Sequence, residues 1–208
     1  MSELYDAILN GGAPQAAEAT RQALEGGATA LDLVRREMVP AMDEVGRRFE
    51  CEEYFVPELL LAARAMKASL ELIRPLLASS GAQPAGRVVI GAVKGDLHDI
   101  GKNIVASMLE GGGFEVIDLG SNVAPEKFVE AVRTHHAGLV CLSALLTVTM
   151  PAMRATMDAL DAAGLRGQVK VMVGGAPVTG RYADEIGADG YGENAAAAVA
   201  LARKLVDA

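Results

Sequence analysis

Six residues without a polar side chain, Val88-Val89-Ile90-Gly91-Ala92-Val93, run straight into the stretch Lys94-Gly95-Asp96-Leu97-His98-Asp99-Ile100-Gly101-Lys102-Asn103. The apolar run is short and unbroken, as in a strand covered on both faces. Beyond the polar stretch, Ile104-Val105-Ala106-Ser107-Met108-Leu109-Glu110 returns apolar residues at helical spacing. The stretch is therefore a strand-to-helix loop, and such loops carry ligands at the carboxyl edge of a parallel sheet. Two carboxylates and an imidazole make it too polar for a mere connector. It is the candidate functional centre.

The same grammar repeats to the end of the chain. Strands are expected at 87–93, Phe114 to Leu119, Gly138 to Leu142 and Val169 to Val173, with a weak fifth at 189–191. Helices are expected at 102–111, 125–134, 151–163, 179–186 and Asn194 to Val206. Repeated βα units with short loops give an α/β domain, a Rossmann-like or flavodoxin-like parallel sheet with helices on both faces.

Residues 1–80 lack that alternation and read as four helices, a small bundle. Ser2 caps the first, which ends at Asn10-Gly11-Gly12, and Pro14 opens the second, which stops at Gly26-Gly27. Thr29 starts a longer element through Phe49, in which Pro40 should break or kink the helix. The fourth runs from near Pro57 to about Arg74. Ser79-Ser80-Gly81-Ala82-Gln83-Pro84-Ala85-Gly86 reads as a linker, so the domains are 1–80 and 86–208.

Composition removes several classes of function. No apolar run reaches the roughly 18 residues of a membrane span. The first residues carry neither a basic nor an apolar leader segment, and the expectation is a cytoplasmic protein. Cys51 and Cys141 are far apart and match no zinc spacing, so both read as reduced, small buried hydrophobes. A net charge of −8 with no basic cluster, and no tryptophan, argues against nucleic acid as a partner.

The ligand is narrowed by what the loops lack. Neither GxGxxG nor the phosphate-binding GxxxxGK[ST] follows the first strand. A receiver domain would place a nucleophilic aspartate after the third strand, where Leu142-Ser143-Ala144-Leu145 stands instead. His98 remains, with Asp96 two positions before it, the pairing by which a carboxylate orients a metal-bound imidazole. No further ligands complete a protein-only site. A single histidine makes sense if the metal arrives held by a macrocycle.

Asp96-x-His98-x-x-Gly101, Ser143-x-Leu145 and Gly174-Gly175, in that order at successive strand ends, resemble the cobalamin-binding signature DxHxxG…SxL…GG. The string from Val93 to Val105 is similar to the corrinoid modules of methyltransferase systems and of cobalamin-dependent methionine synthase. Phe55-Val56-Pro57-Glu58-Leu59-Leu60-Leu61-Ala62-Ala63-Arg64-Ala65-Met66 resembles the last helix of that family's helical cap. The resemblance spans the chain, at the length of stand-alone methyl-carrier corrinoid proteins.

The resemblance implies roles. His98 would be the lower cobalt ligand of cobalamin in place of the cofactor's own base. Asp96 would accept its other N–H, and Thr149 would complete a His–Asp–hydroxyl relay. Ser143 and Leu145 would line the slot for the displaced nucleotide tail. Gly174 and Gly175 would admit tail or corrin close to backbone, and Gly101 would do so at the helix start. Asp99, Ile100 and Thr147 would also touch the cofactor. Phe55, Leu59 and Met66 would cover its upper face. The chain would carry a methyl group between a donor-specific methyltransferase (methylamine, methanol or aryl methyl ether) and an acceptor methyltransferase using a thiol or tetrahydrofolate. A reductive activator of cobalt(II) would be a third partner. On this reading the chain is a carrier subunit rather than an enzyme by itself.

Other readings stay open. Ser143 could cap the next helix, Gly174-Gly175 could form an ordinary tight turn, and Phe55, Leu59 and Met66 could be plain core. His135 and His136 end a predicted helix, where cations complement its dipole. At the level of the whole chain, the alternatives are a cobalamin-dependent sensor or regulator, and the binding subunit of an adenosylcobalamin enzyme.

Overall fold

The computed structural model describes residues 2–80 and 84–206. The chain divides into two compact units, Met1–Pro84 with Glu110–Gly113, and Ala85–Leu109 with Phe114–Ala208.

The first unit is helical: α1 (Glu3–Leu9), α2 (Ala13–Glu25), α3 (Ala30–Leu33), α4 (Val39–Glu50) and α5 (Val56–Ser80). Ser2 Oγ accepts the Tyr5 amide at 3.2 Å and Thr29 Oγ1 accepts the Asp32 amide at 3.1 Å, the caps their residue types favour. Leu4, Ile8, Leu33, Met38, Met42, Leu59, Met66 and Ile73 are its largest fully buried side chains.

Pro40 does not break the third element. The chain stays helical from Ala30 to Glu50 through a π-helical turn at Val34–Met38. There the Val39 amide reaches back five residues to the Val34 carbonyl, and this wide turn precedes the residue that has no N–H to give. The last helix also outruns its expected end at Arg74 and continues to Ser80 through Pro75. Pro75 lies on the exposed side, while buried Ile73 and half-buried Leu77, four residues apart, carry the apolar stripe past it. Ser79 and Ser80 thus belong to α5 rather than to the linker, whose residues 81–83 lie outside the described ones. Cys141 is buried as expected, but Cys51 is exposed. It stands where α4 ends, 3.8 Å from an Arg47 nitrogen.

The second unit is a five-stranded parallel sheet of β1 (Arg87–Ala92), β2 (Glu115–Asp118), β3 (Leu139–Ser143), β4 (Lys170–Gly174) and β5 (Gly190–Gly192). Between them run α6 (Ile100–Gly111), α7 (Pro125–His135), α8 (Pro151–Ala162), α9 (Gly180–Ile186) and finally α10 (Ala195–Val206). The strand order is β2-β1-β3-β4-β5. This is the flavodoxin-like doubly wound order, and the connections leave β1 and β3 in opposite directions. In sheets of this topology ligands bind at that switch point, at the carboxyl ends of the strands. Close packing of the helices on the sheet leaves little room at its strands. A Cβ on Gly91 would stand 2.9 Å from the ring of Phe128, itself fully buried, so β1 needs its glycine to seat α7.

Candidate functional site

Beyond β1 the chain bridges Val93 to Val123 and turns sharply at Gly95, whose φ of +86° suits glycine. The Asp96 amide returns to the Val93 carbonyl at 2.9 Å, and the turn carries the Asp96 side chain inward, to 0 % exposure. A carboxylate so placed must find donors. His98 supplies two to Oδ1, its backbone amide at 2.9 Å and its ring Nδ1 at 2.9 Å. The loop after β3 supplies the rest to Oδ2: the Leu145 amide at 2.7 Å, the Leu146 amide at 3.4 Å and the Thr149 hydroxyl at 2.7 Å. Burial by itself would raise the Asp96 pKa. The bonds from Thr149, the His98 and Leu145 amides and the His98 ring outweigh it and hold the carboxyl well below the usual carboxylate range.

An ionised carboxylate can only accept. Nδ1 of His98 is therefore the N–H that Asp96 accepts, which turns Nε2 away from the carboxylate. That nitrogen has no hydrogen bond among the described residues, and the His98 side chain is half exposed. The arrangement is an imidazole anchored on one side and free to bind a metal with the other. Among the described residues no three His, Cys, Asp or Glu side chains come together to hold an ion. His98 would thus be a single protein ligand.

The surroundings fit a bulky, largely apolar group. Leu97 on the loop after β1, Ile100 at the start of α6, and Leu145, Leu146 and Val148 on the loop after β3 are all exposed, Val148 by 80 %. Exposed apolar side chains on segments that flank this imidazole suit a surface that a ligand covers. Gly101 has open space where a Cβ would stand, so no packing among the described residues requires a glycine there.

A family description reading "B12 binding domain" matches residues 86–200, and a second with the same wording matches residues 2–74. The chain belongs to the B12-binding corrinoid proteins. It is 45 % identical over 201 residues to trimethylamine corrinoid protein 2 of Methanosarcina acetivorans, covering 96 % of this chain and 93 % of that one. Among solved structures, a cobalamin-binding protein from Desulfitobacterium hafniense matches with a TM-score of 0.81 at 33 % identity, covering 97 % of this chain and 96 % of the other. The methanol:cobalamin methyltransferase complex MtaBC from Methanosarcina barkeri matches with a TM-score of 0.87 at 30 % identity, over 99 % of this chain and 78 % of the matched one. The cofactor is cobalamin, and the macrocycle expected at His98 is a corrin.

For a corrinoid protein the expected residues fall into four sets. Asp96, His98, Leu145 and Thr149 are joined by hydrogen bonds, although Leu145 contributes its amide to Asp96 and not only its side chain. Ser143 and Gly174 stand in register at the ends of β3 and β4, and Gly175 follows. A Cβ on Gly175 would lie 1.9 Å from the Ala144 carbonyl oxygen, at a φ of +126°, and one on Gly174 would lie 2.9 Å from the Gly192 oxygen. The chain's own backbone thus requires both glycines, whatever else approaches them. Asp99, Ile100, Gly101 and Thr147 lie along the same edge without a side-chain bond to Asp96 or His98. Phe55, Leu59 and Met66 belong to the helical unit; Leu59 and Met66 are buried core and Phe55 is exposed.

Four features escaped the sequence. Lys102 is buried and pairs with Asp118 at the end of β2. Asn122 holds the Gly95–Asp96 turn. The Leu146 amide joins Leu145 at Asp96, and Leu97 and Val148 complete the apolar row. Backbone donors and contacts between distant loops have no side-chain pattern to read. The mixture of apolar with polar residues in Leu145-Leu146-Thr147-Val148 was the one available signal.

Proposed function

We propose that this corrinoid protein carries a methyl group on cobalt between a donor-specific methyltransferase and an acceptor methyltransferase, with His98 Nε2 as the lower ligand. The observation that supports the proposal is the placement of His98: Nδ1 lies 2.9 Å from Oδ1 of the fully buried Asp96, and Nε2 has no hydrogen bond among the described residues. Relatives named for trimethylamine and dimethylamine, and a structural neighbour named for methanol, support methyl transfer as the process. When bound, the cofactor supplies a metal that accepts and releases the methyl group.

The protein's part is to fix and tune the ligand. The Asp96 charge strengthens the imidazole as a donor by drawing on the Nδ1 proton. If the imidazole were to leave the metal, Nε2 could take up a proton, and the imidazolium so formed would be stabilised by the Asp96 carboxylate through its Nδ1–H. Thr149 makes that exchange inexpensive, since its hydroxyl lies 2.7 Å from Asp96 Oδ2 and 2.8 Å from the Leu146 carbonyl. Its hydrogen can swing to Leu146 when Asp96 needs fewer donors, and no group is left unpaired. Ser143, Thr147, Asp99 and Ile100 line the edge on which the cofactor would rest, and Gly101 leaves room for its close approach. A thiol or tetrahydrofolate acceptor and a reductive activator of cobalt complete the proposed set of partners.

The test is methyl transfer from isotopically labelled trimethylamine, dimethylamine, monomethylamine and methanol, each with its own methyltransferase, to the cobalamin-loaded chain. One donor system should label the wild-type cofactor, and His98→Ala should slow that labelling at least about 10-fold. Equal rates for the two proteins would overturn the role of His98, and no labelling from any donor would overturn the carrier reading.

A further inference from the structure

We propose that Asn122, in the loop after β2, is a positioning residue for the Asp96–His98 pair. Its backbone amide donates to the Asp96 carbonyl at 2.8 Å, and its side-chain Oδ1 accepts the Gly95 amide at 2.8 Å. Between these two bonds the Asp96 amide is tied to the Val93 carbonyl at 2.9 Å. Three successive peptide groups around Asp96 are thereby fixed, two of them by one residue. The inference rests on the reading of His98 as cobalt ligand.

The conformation of Asn122 argues for a purpose beyond the turn. Its φ is +55°, in the left-handed region, which costs most residues energy and glycine none. Asn122 is exposed, so packing does not dictate the side chain. A glycine would serve the backbone equally well but would leave the Gly95 amide without this acceptor. Asparagine tolerates the conformation and adds the oxygen.

The position gives leverage over the ligand. Gly95 is the hinge of the turn, and a Cβ there would stand 3.6 Å from the Thr149 methyl, so the clamped peptide lies near the third member of the network. Asp96 Oδ1 must meet both the amide and the ring nitrogen of His98 at 2.9 Å. A small rotation of the Gly95–Asp96 backbone would part that carboxylate from the imidazole while leaving the loop after β3 in place. Each of the three loops above β1, β2 and β3 would then hold a different part of Asp96: its own turn, its peptides and its carboxylate.

The experiment uses the full chain loaded with cob(II)alamin, after production with 15N-histidine. In wild type, the nitrogen splitting of the EPR lines should change from three lines to two with the label, which identifies a protein histidine on cobalt. Asn122→Gly keeps the backbone conformation and removes the acceptor. It should lose most of the histidine-split signal and bind cobalamin about 10-fold more weakly, at the low end of outer-shell effects. Asn122→Asp keeps the acceptor and should retain the wild-type spectrum, a rescue that a merely structural role would not require. Full splitting in Asn122→Gly, or loss of splitting in both variants, would overturn the proposal while leaving His98 as ligand. Wild type without histidine splitting would overturn the His98 reading and this proposal with it. Hydrogen exchange of the Gly95 amide in the wild-type apoprotein tests the clamp without any variant. Slow exchange is expected, and exchange at the free-peptide rate would overturn it.

Discussion

The segments after β1 and after β4 both carry motif glycines, and Gly101 and Gly175 answer to different demands. Gly175, after β4, has a φ of +126° and the Ala144 carbonyl where its Cβ would be. Gly101, at the start of α6, has a helical neighbourhood and nothing within 4 Å of the place a Cβ would take. One glycine is needed by the fold. The other has no such demand among the described residues, and the proposed role for it is close approach of the corrin. A sequence motif merges the two kinds, and only the backbone around them separates them.

The contrast is sharpest in stability. Gly175→Ala adds both a steric overlap with backbone and a strained φ, so the apoprotein should lose about 3 kcal/mol or more in urea unfolding. A wild-type midpoint for this variant would break the comparison at once.

Asp96→Asn should follow, at about 2–3 kcal/mol, because an amide in that pocket turns one set of facing N–H donors against its own NH2. Its pH dependence has a definite sign. The folded-state pKa of Asp96 is lowered. Its contribution is therefore present above the unfolded value, about 3.9, and is lost as pH falls through the lower folded value. The stability gap between wild type and Asp96→Asn should be widest near neutral pH and close on acidification below about pH 4. Urea midpoints at pH 7 and pH 3 check this, and an unchanging gap would contradict it.

Thr149→Val removes one hydroxyl from a site of nearly constant shape and should cost about 1 kcal/mol in the same assay. Smallest of all in the apoprotein is Gly101→Ala. It should leave stability unchanged or raise it by up to about 1 kcal/mol, as alanine does in a helix. The same variant should weaken cobalamin binding in a titration followed by absorbance. Undiminished affinity would show that the open space at Gly101 is not kept for the cofactor.

What could be read from the sequence follows the same division between local and distant. The Val88–Val93 run and the spacing from Asp96 to Gly101 are properties of a few neighbouring residues, and they located β1, the loop and α6. The strand count and alternation were legible for the same reason. Asn122 and the Leu145 and Leu146 amides act on Asp96 largely through backbone groups that every residue possesses, so nothing in their side chains announced them. Pro40 reads as a break because proline removes one hydrogen bond, and the helix through Pro75 reads as ending just before it. A wide turn beside the first, and an apolar stripe running past the second, kept both helices whole.

The proposed function rests on His98, held by Asp96 that Thr149 holds in turn, taking the place of the cofactor's own base on cobalt. The direct measurement is the EPR spectrum of the unlabelled protein loaded with cob(II)alamin whose dimethylbenzimidazole carries 15N. A three-line nitrogen splitting that ignores the label, and that disappears in His98→Gly, is the predicted result. A two-line splitting in wild type would place the cofactor's own base on cobalt and contradict it.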